Sequence, residues 1–338
     1  MAQYAKDQAA GFVNRLSKVA IIGAGGNVGK YMTQALLQTG KHTVTALTRI
    51  GSTSTLPEGV IKAPVDYANE ESLVSALRGQ QFLIVSMAVS GGAEAEAIVM
   101  SAAGKAGVPW VMPTCYGTDI ENAALMEENL TGPLVFANIA AAEKNGLSWT
   151  TMNCSFWYEF SLMSHNCYGI DITKRSATLF GDGDVPICTS TWLQCGRAAA
   201  AFLSLKVLPE DEHDRDVTMA QWRNKPLFIK SFVASQRDML DSVHRVLGTT
   251  DADWAVERVD AQARYDAGRT LLGGPEGYKG FSHCLYTRTF FKDGGGDFSA
   301  KVVNKELGLP QEDMEEATKR AVDMALKAGE FEYAKGAH

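Results

Sequence analysis

The chain has no stretch of about twenty apolar residues, the length that a membrane-crossing helix requires. Its first residues, Met1 to Lys18, are polar and alanine-containing, with no apolar core of signal-peptide length. A soluble protein working in the cytoplasm, with no membrane partner, is therefore expected. Basic clusters are missing too: Lys and Arg total 32 against 39 Asp and Glu, and the resulting net charge of -7 removes nucleic acid as the main partner. The six cysteines, at 115, 154, 167, 188, 195 and 284, form no Cys-x-x-Cys pair and have no matching His ladder, so no metal site is expected. They read as reduced thiols, most of them small buried hydrophobes. Nothing repeats internally, and no segment is low in complexity. What is there is 338 residues, 46% of them hydrophobic, enough for one large core with a smaller attached lobe and no linker between the two.

The positive signal begins at Lys18. Val19 to Ile22 is a continuous apolar run, the mark of a strand buried on both faces. From Val28 onward the apolar residues Met32, Ala35 and Leu36 recur at helical spacing. Glycines fill the gap. A turn between buried strand and helix needs positive φ and close backbone approach, and the helix start offers unpaired N–H groups to an anion. Gly23, Gly26 and Gly29 meet those needs, with Gly25, Asn27 and Val28 completing the loop, and the stretch reads as the first turn of a dinucleotide-binding unit. Gly40 closes the helix, and Thr43 to Thr48 is a second strand ending in Arg49. An NAD enzyme usually carries Asp or Glu there for the ribose 2′-hydroxyl. Arg49 instead predicts NADP(H), its guanidinium forked onto the 2′-phosphate; the alternative is a solvated arginine at a strand end.

Ile61 to Val65 makes a third strand ending at Asp66, whose carboxylate either faces the adenine amino group or caps the helix from Glu70 to Leu77. Phe82 to Ser86 is the fourth strand. It opens into Met87-Ala88-Val89-Ser90-Gly91-Gly92, mostly small residues against which a nicotinamide ribose can lie, so Met87 and Ala88 are cofactor candidates. A helix from Ala93 to Ala106, a strand from Trp110 to Pro113, a helix from Leu134 to Asn145 and a strand from Ser148 to Asn153 continue the alternation. The pattern predicts an α/β protein with a Rossmann-type doubly wound parallel sheet, a smaller α+β substrate lobe, and ligands at the carboxyl ends of the strands. Pro113, Thr114, Cys115 and Asn153 lie at those ends and join the cofactor candidates. The expected domains are an N-terminal extension over 1–17, an NADP-binding domain over 18–155, and a mainly substrate-binding lobe over 156–338 that returns some segments to the core.

Beyond Phe160 the regularity fades. Ser176 to Phe180 and Val185 to Thr189 flank Gly181-Asp182-Gly183-Asp184 and read as a hairpin, followed by an alanine-rich helix from Leu193 to Leu205. Short strands are expected near Val217 and from Phe228 to Phe232, and Ser235 and Asp238 cap each other ahead of a helix over Met239 to Leu247. Pro310 is placed at the first position of the last helix, with Met314, Ala317, Ala321 and Leu326 on its inner side.

Hydride chemistry requires a group that protonates or polarises the oxygen gaining charge. Tyr116, just after the fifth strand, is the first candidate donor and a substrate contact; its other role is a packed ring. Asp119 is read as an orienting acid or a cap. Phe156, Trp157 and Tyr158 are too aromatic for an exposed loop and form a candidate wall for a flat hydrophobic substrate, or a seal between lobes. Glu159 beside them has a raised pKa if buried, which suits a general acid, and Tyr158 is the remaining catalytic candidate.

With these residues in place, the chain from Val19 to Gly329 resembles the fungal branch of the NmrA-like and isoflavone-reductase-like proteins, atypical members of the short-chain dehydrogenase superfamily. The resemblance rests on Gly23-x-x-Gly26-x-x-Gly29, Leu47-Thr48-Arg49, Val65-Asp66-Tyr67, Ala106-Gly107-Val108, Gly146-Leu147-Ser148-Trp149-Thr150 and Leu307-Gly308-Leu309-Pro310. It implies NADPH binding, a substrate lobe in the C-terminal half, and work in secondary metabolism. It also implies a Lys in the helix before the Gly-Leu-Ser-Trp-Thr strand, yet Leu134 to Ala142 holds no ionisable group, and Val135 stands near the expected position. The Tyr-x-x-x-Lys pair of ordinary short-chain dehydrogenases is absent as well. The leading expectation is an NADPH-dependent oxidoreductase acting on a hydrophobic carbonyl, imine or conjugated alkene, as monomer or homodimer. The missing Lys keeps two others open: a redox-neutral isomerase or rearrangement enzyme that retains bound NADP, and a non-catalytic NADP-sensing regulator of the NmrA type.

Overall fold

The computed structural model of the chain describes residues 4–87 and 92–328. Its first half alternates strand and helix: β1 (Lys18–Ile22), α1 (Gly29–Gln38), β2 (Thr43–Arg49), β3 (Ile61–Val65), α2 (Glu70–Leu77), β4 (Phe82–Val85), α3 (Gly92–Ala106), β5 (Trp110–Met112), α4 (Ala123–Glu128), α5 (Gly132–Lys144) and β6 (Ser148–Asn153). The elements then shorten: β7 (Phe156–Trp157), α6 (Tyr158–Met163), α7 (His165–Tyr168), β8 (Ile170–Asp171), β9 (Ser176–Phe180), β10 (Ile187–Ser190) and α8 (Trp192–Leu203). After α8 come β11 (Lys225–Phe228), β12 (Phe232–Ala234), α9 (Gln236–Leu247), β13 (Ala255–Val259), α10 (Ala261–Leu271), α11 (Gly277–Thr289) and α12 (Met314–Ala328). No helix among the described residues is long and apolar enough to cross a membrane.

Seven strands form one parallel sheet in the order β11-β6-β5-β4-β1-β2-β3. The order reverses between β1 and β4, which opens a crevice at the carboxyl ends of the strands. β4 is buried at every position and β1 at all but the first, as strands covered by helices on both faces must be. One core gathers Ile21, Met32, Leu36 and Phe202 under α1 and α8; another gathers Leu73, Val99, Ala103 and Ile139 under α2, α3 and α5. A third, around Tyr158, Tyr168, Phe180, Met239 and Ala321, belongs to the C-terminal lobe. The Rossmann-type sheet with a smaller lobe is thus as the alternation predicts, and β11 adds a seventh strand from the second half.

Four expectations of detail are corrected. β9 and β10 make no hairpin: β9 pairs with β8 and β13, while β10 pairs with β7 and β12. Gly181 and Gly183, both at positive φ, turn the chain between two sheets, Gly181 donating to the Val259 carbonyl at 2.7 Å. The stretch from Phe228 to Phe232 is a break between β11 and β12, and near Val217 there is one isolated bridge, Lys206 to Thr218. Pro310 does not start α12. Its carbonyl accepts from Gln194 Nε2 at 2.9 Å, and Glu312 is held by Thr191, Ser231 and Arg197, so the helix waits until Asp313 Oδ1 can take the Glu315 N–H at 2.8 Å. On α12 the inner residues are Ala317, Ala321, Val322 and Ala325, while Leu326 is exposed. The reciprocal cap of Ser235 and Asp238 on α9 is present.

Candidate functional site

The turn after β1 is shaped by what its glycines exclude. Gly23 has a φ of +80°, and a Cβ there would lie 2.1 Å from the Ser86 carbonyl oxygen at the end of β4. A Cβ on Gly29 would lie 2.0 Å from the Gly23 carbonyl oxygen, and one on Gly25 would lie 2.8 Å from that of Thr55. Strand, turn and helix therefore meet backbone to backbone, as a loop that must hug a ligand requires. Gly26 donates to the Gly23 carbonyl at 2.9 Å, and beyond it the N–H groups of Asn27, Val28 and Gly29 find no acceptor among the described residues. Val28 takes the N-cap position of the ten-residue α1 without a side-chain cap. Unpaired donors and the positive end of the helix dipole converge there, an arrangement that fits an anionic group.

At the end of β2, Arg49 is exposed and pairs with no carboxylate among the described residues. It lies beside Tyr67, whose phenol burial pushes up to about 12 against the pull of the Arg49 charge. Thr48 Oγ1 is buried nearby in sequence without a partner. Asp66 does not cap α2: Asn69 does, accepting from Glu71, while Asp66 Oδ1 takes the Ala68 N–H at 2.9 Å in a local turn. This end of the crevice thus presents a cation at β2 and an exposed acid at β3.

The other end lies over β4, β5 and β6. The Met87 N–H donates to Thr114 Oγ1 at 3.3 Å, and Ala88 lies outside the described residues. Pro113 is buried, and burial pushes the Cys115 thiol up to about 12. Tyr116 donates its hydroxyl to the Val85 carbonyl at 2.8 Å, and burial holds its pKa far above that of an ordinary phenol. Asn153 is a strut between strand ends, its Nδ2 donating to the Thr118 carbonyl and its Oδ1 accepting from Thr151 at 2.6 Å. Asp119 is paired with Lys301 at 2.7 Å.

Alternation along β7 divides the aromatic run. Phe156 stacks on Tyr286 with centroids 3.9 Å apart, and Tyr158 is fully buried with its hydroxyl 2.7 Å from Thr318 Oγ1; both belong to the lobe core. Trp157 and Phe160, each half-buried, turn the other way toward Trp192, which in turn stacks on Tyr31 of α1 at 5.8 Å. Glu159 is 2% exposed; it accepts from Arg320 at 3.0 Å and from the Trp192 N–H at 3.3 Å. Burial raises its pKa, and those two donors oppose the rise. The three catalytic candidates are therefore not brought together: Tyr116 lies under the strand ends, Tyr158 inside the lobe, and Glu159 on an arginine of α12.

Several residues at this end had no sequence expectation. Glu96 on α3 is 3% exposed and accepts from the Thr114 N–H at 2.7 Å and from Asn138 Nδ2 at 2.8 Å; its burial raises its pKa. Its signal was its spacing: it stands three and four residues before Val99 and Met100 on the inner side of the helix. Trp192 and Tyr31 carried no such signal, because their meeting depends on how α8 crosses α1. Gly196 permits that crossing, with a Cβ there 2.5 Å from the Tyr31 carbonyl oxygen.

Residues 23–155 match the family model described as NAD(P)H-binding. An oxidoreductase of Aspergillus flavus, aprR, is 29% identical over 250 residues, covering 72% of this chain and 78% of its own. Among solved structures, the pinoresinol-lariciresinol and phenylcoumaran benzylic ether reductases superpose with a TM-score of 0.71 at 16% identity, over 90% of this chain and 99% of theirs. The NADPH-dependent quinone oxidoreductase of Escherichia coli, solved with NADPH, gives 0.66 at 18% identity over 89% and 98%.

Proposed function

We propose, from the premise that this chain carries an NAD(P)H-binding domain at residues 23–155 and has the isoflavone-reductase-like fold, that it is an NADPH-dependent reductase of a flat, hydrophobic carbonyl, imine or conjugated alkene. The observation that carries the reading is the pairing of N–H donors at the start of α1 with Arg49, both unpartnered among the described residues. Gly23, Gly25, Gly26, Asn27, Val28 and Gly29 would hold the pyrophosphate, Arg49 the 2′-phosphate, and Asp66 the adenine amino group. Met87, Ala88, Pro113, Thr114, Cys115 and Asn153 would shape the nicotinamide end, Cys115 and Asn153 by fixing the strand ends from behind. Bound NADPH supplies the hydride. Trp157 and Phe160 offer half-buried rings to the substrate, while Phe156 and Tyr158 brace them from the lobe core.

The first test is a fluorescence titration with NADPH, NADP+ and NADH in parallel. Arg49→Ala is expected to weaken NADPH about tenfold to a hundredfold, the worth of charge-assisted hydrogen bonds to a phosphate, and to leave NADH within about threefold. Equal losses on both nucleotides would detach Arg49 from the 2′-phosphate. Tyr116 is the proton donor in this reading. It must release the Val85 carbonyl to serve, and a substrate oxygen gaining negative charge is the stronger acceptor. Tyr116→Phe is expected to lower turnover about tenfold to a hundredfold with NADPH affinity retained. Unchanged turnover would remove the phenol from the chemistry.

One observation favours a second reading. The inward residues of α5 are Gly132, Val135, Asn138, Ile139 and Ala142, so that helix presents no cation to the crevice. A redox-neutral rearrangement with NADP held as a fixed group needs none. Product formation with NADP+ alone, and no change in absorbance of the reduced nicotinamide, would establish it over reduction.

A further inference from the structure

Ser155 follows β6 two residues past its last strand position and has a φ of +56°, the left-handed region that a residue with a Cβ adopts only at a cost. It is 2% exposed. Its N–H donates to the Gly117 carbonyl at 2.9 Å, tying the end of β6 to the loop after β5. Its hydroxyl is buried and has no hydrogen-bond partner among the described residues, a further penalty. Glycine at this position would avoid both. The serine therefore carries two unfavourable features that nothing among the described residues compensates.

The surrounding donors sharpen the point. Thr114 Oγ1 and Tyr116 both donate to the Val85 carbonyl, Thr118 faces the Met126 sulfur, Asn153 Nδ2 meets the Thr118 carbonyl and Cys154 Sγ meets that of Tyr116. These side-chain donors at the ends of β5 and β6 are thus committed to protein acceptors, whereas among the described residues the Ser155 hydroxyl has none, nor has the Trp157 Nε1 two residues on. In a doubly wound sheet these strands belong to the half that receives the second nucleotide of a dinucleotide. The residues next to it in the chain, Cys154 and Phe156, and Gly117, which accepts from its N–H, bring no charge, so the hydroxyl suits a neutral planar group that both accepts and donates. A serine χ1 has three staggered wells, and one step turns the oxygen without moving the backbone.

Resting on the reductase reading above, we propose that Ser155 Oγ is the hydrogen-bond partner of the carboxamide on the nicotinamide ring, making Ser155 a cofactor-binding residue that sets how the ring lies over β5 and β6. A substrate carbonyl shares that chemistry, and the test separates the two. Wild type, Ser155→Ala and Ser155→Gly are titrated with NADPH and with 2′-phosphoadenosine 5′-diphosphate, which keeps the phosphates and adenine and lacks the nicotinamide. Both variants are expected to bind NADPH about three- to tenfold more weakly, the worth of one hydrogen bond, and to bind the truncated ligand as wild type does. Ser155→Gly should in addition raise the Tm of the ligand-free protein, because glycine relieves the left-handed backbone. Equal weakening of both ligands would make the hydroxyl structural and overturn the proposal. So would NADPH binding that is unchanged in both variants, including the case where only the KM for a carbonyl substrate rises. Wild-type protein that binds neither ligand overturns the reductase reading and this proposal with it.

Discussion

Gly29→Ala is expected to abolish measurable NADPH binding, a loss greater than about a hundredfold, while a far-UV circular dichroism spectrum still reports a folded α/β protein. The added Cβ would lie 2.0 Å from the Gly23 carbonyl oxygen and 2.9 Å from its carbon, and both are backbone atoms that no rotamer change can move aside. Overpacking of this kind is relieved only by shifting α1 away from β1, at about 1–3 kcal/mol or more. The shift falls where it matters: the N–H groups of Asn27, Val28 and Gly29 would no longer converge on one point. A hundredfold loss is about 2.7 kcal/mol, the scale expected when several charge-assisted hydrogen bonds lose alignment together. Gly40→Ala is the matched control. Gly40 also has positive φ, at +66°, yet a Cβ there meets nothing within 4 Å, so that variant should lose about 1 kcal/mol of stability and keep its affinity. NADPH binding by Gly29→Ala within threefold of wild type would place the phosphates elsewhere than the start of α1.

That turn was legible in the sequence because its determinants are local. Strand, turn and helix follow one another within thirteen residues, and Gly26 and Gly29 both act against Gly23, though Gly23 and Gly25 themselves meet the distant Ser86 and Thr55 carbonyls. Pairing in the lobe is decided at longer range, and there the sequence misled. Two short apolar runs around Gly181-Asp182-Gly183-Asp184 look alike whether the chain folds back on itself or passes to another sheet. What sends β10 away is β7 on one side and β12 on the other, through the register pairs Thr189 with Phe156, 33 residues apart, and Thr189 with Phe232, 43 apart. Helix period was also misjudged by one position at the end of α12, where Ala325, not the larger Leu326, continues the inward stripe through Ala317 and Ala321. The chemistry of the site was least legible. A glutamate in an alanine-rich helix reads as a solvated charge until Thr114 and Asn138 are found around it, and nothing in the letters Asn-Cys-Ser-Phe says that the serine is left-handed with an unpaired hydroxyl.

Arg320→Ala tests the junction between α1 and the lobe, and its effect should depend on pH in a specified direction. Glu159 on α6 reaches Arg320 on α12 and the first N–H of α8, whose Trp192 stacks on Tyr31 of α1. Burial already raises the Glu159 pKa above its ordinary value, with Arg320 among the groups that hold it down. A carboxyl with a raised folded-state pKa is favoured by folding in its protonated form; that contribution is complete below the unfolded value and disappears as pH climbs through the folded one. Removing Arg320 raises the folded value further and leaves an ionised Glu159 without its counter-charge. Fully buried pairs lose about 3–5 kcal/mol on such a truncation, and the 38% exposure of the Arg320 side chain brings the expected loss near pH 8 to about 2–3 kcal/mol. As pH falls toward 5 the variant carboxyl takes up its proton sooner than an ordinary glutamate does, and the loss should shrink. Urea unfolding of both proteins at pH 5, 7 and 8.5 measures the difference. Adding Glu159→Gln to Arg320→Ala removes the ionisable group and should flatten the pH dependence. A penalty equal at all three pH values, or one that the glutamine leaves pH-dependent, would mean that Arg320 contributes through its packed stem rather than through its charge on Glu159.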